Sequence, residues 1–84
     1  MLSLYEIVDR FENGLYTNTT LLHYLNLSFD SFTQEEQNFV DVLRNYILRN
    51  RNEMTPKEDL EHRLIAYTAF RSIGGRMEFK HFDI

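Results

Sequence analysis

The chain has no cysteine and no tryptophan, and among its 84 residues only one proline and three glycines. Without cysteine, disulfide staples and thiolate metal sites are excluded, so packing or self-association must supply the stability that small domains often take from cross-links. With so few helix breakers, long uninterrupted helices are permitted. No stretch approaches the roughly 18 consecutive apolar residues of a membrane span, and the N-terminus lacks the basic-then-apolar layout of a signal peptide. A cytoplasmic location without a membrane partner is therefore expected.

Basic residues are scarce in the first half. From Met1 to Leu43 seven acids (Glu6, Asp9, Glu12, Asp30, Glu35, Glu36 and Asp41) face one base, Arg10. From Arg44 to Ile84 eight bases outnumber six acids. An acidic half joined to a mildly basic half suits a protein that meets a partner, or a second copy of itself, with one face.

What is plentiful is apolar and aromatic surface, at 43% and 14% of residues. That is ample for a folded chain, and a length of 84 residues allows one core, so residues 1–84 are expected to form a single helical domain. Leu4, Ile7, Val8, Phe11 and Leu15 fall on one helical stripe, opened by a Ser3/Glu6 capping box and stopped by Gly14. A short second helix starts at Asn18 or Thr19 and reaches about Asn26, followed by a connection whose Leu27, Phe29 and Phe32 tuck into the core. The third helix starts at Thr33, with Glu36 completing a second capping box, and runs to about Asn50. Its Phe39, Val40, Val42, Leu43, Tyr46 and Ile47 cover an arc of about 160°.

Thr55-Pro56-Lys57-Glu58 starts a fourth helix, since proline at the first helical position loses no needed hydrogen bond. The run Leu64 to Phe70 is apolar nearly all round, which predicts a central helix touched on several sides, ended by Gly74-Gly75. In the tail, Met77 and Phe79 alternate with Phe82 and Ile84 as in a strand. A lone strand needs a companion, which the Leu25–Phe29 segment, the same tail of a second copy in a homodimer, or another protein's sheet edge could supply. The fold class is thus mostly α: a compact three- to four-helix domain with a short C-terminal β-strand or extended tail.

Motifs for chemistry are missing. There is no P-loop, Gly-x-Gly-x-x-Gly, Gly-x-Ser-x-Gly or His-Glu-x-x-His, and four short helices leave little volume for a water-excluding pocket, so no catalysis and no cofactor are expected. Glu58 and His62, one turn apart beside Asp59 and Glu61, with His81 in the tail, make the best metal constellation. It is too common on solvated helices to count as a site. Leu22 to Ser28 followed by Phe32 has helix-turn-helix spacing, an alternative reading as a nucleic-acid-binding regulator. Its reading helix would present Asp30, Gln34, Glu35 and Glu36 to phosphates, which disfavours it.

Protein recognition remains. Twelve phenylalanines and tyrosines are more than so small a core readily hides, so Tyr5, Tyr16, Tyr24, Phe79 and Phe82 are candidates for an exposed contact patch. Glu6, Asp9, Glu12, Asp30, Glu35 and Glu36 would steer that patch to a basic protein surface. A small, cysteine-free, asparagine- and aromatic-rich chain of this kind suits a phage or mobile-element inhibitor or regulator of a host protein. A homo-oligomeric structural or accessory subunit is a further alternative.

Overall fold

A computed structural model describes residues 2–49 and 54–76. Four α-helices, α1 (Leu4–Glu12), α2 (Asn18–Ser28), α3 (Gln34–Leu48) and α4 (Pro56–Ser72), follow in chain order, with a 3₁₀ turn at Phe29–Ser31 between α2 and α3. The expected mostly helical fold is what forms. The strand expected in the tail lies outside the described residues.

Each helix begins where a hydroxyl satisfies amides that have no intrahelical partner. Ser3 Oγ accepts from the Glu6 amide at 3.2 Å, Thr17 Oγ1 from Thr20 at 3.1 Å, and Thr55 Oγ1 from Glu58 at 3.2 Å. At α3 both halves of the capping box are present, the Glu36 amide donating to Thr33 Oγ1 at 3.2 Å and the Thr33 amide to Glu36 Oε1 at 2.9 Å. The ends use backbone freedom instead. Gly14 and Gly74 take φ of 79° and 88°, which a side chain would resist.

The core is one cluster fed by all four helices. Leu4, Ile7, Val8 and Phe11 of α1, Leu21 and Leu25 of α2, and Phe39, Val40, Leu43 and Tyr46 of α3 are buried, with Phe32 from the connection and Ala66 and Phe70 from α4. Phe70 sits at its aromatic centre, stacked on Phe39 at 4.6 Å and on Tyr5 at 5.8 Å between ring centroids. Polar ties lock the helices in register. Tyr46 donates to Asp59 at 2.9 Å between α3 and α4, Arg44 to Asn26 at 2.7 Å between α3 and α2, and Tyr5 to the Ile73 carbonyl at 2.8 Å at the end of α4.

Three expectations are corrected. Leu15 does not extend the α1 stripe: Gly14 turns the chain first, and Leu15 is 70% exposed. The second helix continues two residues past Asn26, so Leu27 points outward, 63% exposed, while Phe29 and Phe32 pack inward as expected. Finally, α4 is not central. Only Ala66 and Phe70 of it are buried, and Leu60, Leu64 and Ile65 are exposed. The helices that bury four apolar side chains each are α1 and α3.

Candidate protein-recognition surface

Two surfaces offer chemistry to a partner, and they lie on different helices. The first is on α1 and α2. These helices pack on each other across a short connection, and Tyr16 in that connection stacks on Tyr24 of α2 with ring centroids 5.0 Å apart and an interplanar angle of 16°. His23 meets Tyr24 edge-on at 5.5 Å, and Arg10 of α1 donates to the Tyr16 hydroxyl at 3.4 Å. Tyr24 and Leu27, three residues apart, share one side of α2 and are both exposed. The result is an aromatic platform at the edge of the core, with Tyr16 half-buried against it and Tyr24 exposed. Holding two rings against each other lowers the entropy lost when a partner covers them.

The acids divide into those already occupied and those free to act. Glu36 closes the capping box of α3, Asp41 pairs with Arg44 at 3.3 Å, and Asp59 pairs with Arg63 at 3.4 Å. Among the described residues, Glu6, Asp9, Asp30 and Glu35 are exposed and form no ion pair. Glu12 is half-buried. Four carboxylates without an ion pair therefore remain in the first half of the chain. Glu35 and Glu36 also lie in the first turn of α3, where the helix dipole favours negative charge.

Tyr5 serves the interior more than the surface. Its ring rests on Phe70 and its hydroxyl on Ile73, while burial first, and then the neighbouring Glu36 carboxylate, raise its phenol above the ordinary tyrosine range. Of the five aromatics singled out from the sequence, the structure brings Tyr16 and Tyr24 together and sets Tyr5 apart from them. Phe79 and Phe82 lie outside the described residues.

The second surface, missed in the sequence, is the outer side of α4. Leu60, Leu64 and Ile65 are 47%, 53% and 53% exposed there. The apolar run from Leu64 to Phe70 was the signal, but a run that goes all round a helix is equally consistent with full enclosure.

A groove of about 490 Å³ between α3 and α4 is lined by Tyr46, Arg49 and His62 with Val42 and Ile65, open to solvent. The Tyr46 hydroxyl donates a hydrogen bond to Asp59, which also pairs with Arg63. Glu58 accepts from the Thr55 hydroxyl at 3.1 Å and Asp59 is shared by Tyr46 and Arg63, which ties down the carboxylates of the best metal constellation. No group of three metal-ligating side chains occurs among the described residues, and His81 lies outside them. No helix among the described residues is long and apolar enough to cross a membrane.

The helix-turn-helix spacing does yield a helix, a short turn and a helix. The start of α3, however, exposes Gln34 and Glu35, with Asp30 in the turn before it. No protein-family model matches the chain, and neither the curated proteins nor the solved structures compared with it include a match.

Proposed function

We propose that this protein is a non-catalytic recognition module that binds a basic surface of another protein through the α1–α2 tyrosine pair and the free carboxylates of the first half of the chain. The reading is supported above all by two features together: a tyrosine pair stacked at the edge of the core, and four exposed carboxylates, Glu6, Asp9, Asp30 and Glu35, that form no ion pair among the described residues. Unpaired charge at a surface accelerates encounter with an oppositely charged partner, and rigid aromatic area converts the encounter into affinity. A core that consumes most of the chain's apolar residues leaves the outside to act.

An inhibitor or regulator of a host nucleic-acid enzyme fits this chemistry, because such enzymes carry basic tracks for phosphates that an acidic protein can occupy. The test is affinity capture from a lysate of the encoding organism with the immobilised chain, followed by mass spectrometry. One stoichiometric basic protein is expected, eluting with salt and lost from both Tyr24→Ala and the Asp9→Lys/Glu35→Lys double variant. Capture that is indifferent to both variants would refute the surface, and a mobility shift with DNA at low salt would favour the nucleic-acid reading instead.

A further inference from the structure

The outer side of α4 has a shape and a charge order that fit one occupant. At 100° per residue, Ala66, Phe70, Asp59 and Arg63 share the side turned to the core; Leu64, Thr68 and Ser72 lie opposite together with Glu61, flanked by Ile65, and Leu60 stands at the edge between the two sides. Leu64 and Ile65 are bulky and about half exposed; four residues on, Thr68 and Ala69 are small. With Ser72 these four line a shallow groove of about 440 Å³. The apolar surface continues onto α3, because Ile65 also lines the neighbouring groove together with Leu48, itself 64% exposed.

What fills such a groove is another helix that brings two large apolar side chains to the small end and accepts Leu64 and Ile65 at its own small end. The charges narrow the choice further. On the outer side of α4 the exposed Glu61 stands in the first half of the helix, whereas the exposed Arg71 stands in its last turn. A parallel neighbour of like sequence would set acid against acid; an antiparallel one sets acid against base and opposes the helix dipoles favourably.

We propose that two copies of this chain pair through the outer faces of α4, packed antiparallel about a two-fold axis near residues 66 and 67. In that register Leu64 stands over Thr68 and Ile65 over Ala69 of the other copy, and Glu61 lies at the level of Arg71. Lys57 falls beyond the overlap, because the opposing helix finishes at Ser72, near the level of Glu61. The two helices overlap over about 12 residues, Glu61 to Ser72, a contact about 18 Å long at 1.5 Å per residue and at the small end of specific interfaces, so the dimer is concentration-dependent. It leaves the α1–α2 platform uncovered on each copy, and so does not depend on that platform's proposed role.

Sedimentation velocity of the full chain over a concentration series tests this. Wild type is expected to move from a 10.2 kDa species to twice that mass as concentration rises to about 100 µM. Leu64→Glu, at an exposed site that spares the core, should raise the dissociation constant at least about tenfold with an unchanged helical circular dichroism spectrum. Glu61→Arg and Arg71→Glu should each weaken the dimer, and the double variant should recover it. A monomer throughout overturns the proposal. So does a dimer that ignores Leu64→Glu but is lost on deleting residues 77–84, or a charge swap that fails to restore pairing.

Discussion

Helices α3 and α4 are neighbours of similar length, 15 and 17 residues, and both are rich in apolar side chains, yet the structure uses them differently. In α3 the apolar positions are gathered on one arc, and four of them, Phe39, Val40, Leu43 and Tyr46, are buried. In α4 they are spread around the axis, so whichever side faces the core, some must face away. Only Ala66 and Phe70 are enclosed, and Leu60, Leu64 and Ile65 are left outside. The distribution of apolar residues, more than their number, decides whether a helix ends its work in the core or carries a second surface.

The sharpest way to break this contrast is to truncate matched positions. Phe39→Ala and Phe70→Ala, which remove stacked rings buried to 1% and 2% exposure, should each cost about 3–5 kcal/mol in urea unfolding. Equal losses for Leu64→Ala, measured on dilute protein, would show α4 to be enclosed on both sides. Gly75→Ala comes next. A Cβ there would stand 2.5 Å from the Phe70 ring, so about 1–3 kcal/mol should be lost as the ring is displaced; a neutral effect would mean that the end of α4 is loosely held.

Tyr5→Phe should cost about 1 kcal/mol at neutral pH by removing the hydrogen bond to Ile73. Its pH dependence carries a sign. The folded phenol titrates above its ordinary value of 10, so its contribution is complete below that pH and fades as pH rises through the folded value. Wild type should therefore lose stability above pH 10 more steeply than Tyr5→Phe, and identical alkaline slopes would remove Tyr5 from the account. The smallest effect is expected at Leu64→Ala in dilute solution, under about 0.5 kcal/mol.

Much of this architecture is legible in the sequence, for reasons that are local. Ser3, Thr33 and Thr55-Pro56 mark helix starts because a hydroxyl or a proline acts within one turn, and Gly14 and Gly74 mark ends because only glycine takes their φ at little cost. The gathered arc of α3 likewise points to its own burial. What the pattern could not settle depends on partners distant in the chain. Leu27 is one example: extending α2 by two residues rotates it to solvent, a boundary decided by how Phe29 and Phe32 pack. The α4 run is another, since a helix apolar on all sides does not say which neighbours exist.

The candidate surface was legible only in part. Tyr16 and Tyr24 could be named as aromatic candidates, but their stacking requires the Gly14 turn that brings α2 against α1. Tyr5 has the same composition signal and a different fate, because α4 ends beside it and offers the Ile73 carbonyl. Among the carboxylates, position relative to a helix start separates Glu36, consumed by its cap, from Glu35, left to solvent.

The division between an inner side of α4 that holds the fold and an outer side that holds a second copy is tested most directly by urea unfolding at about 1 µM and about 100 µM protein, for wild type and Leu64→Glu. Association that involves only the folded chain should raise the wild-type midpoint with concentration and leave the variant's midpoint fixed. A wild-type midpoint that does not move, or a variant that moves with it, would contradict that division.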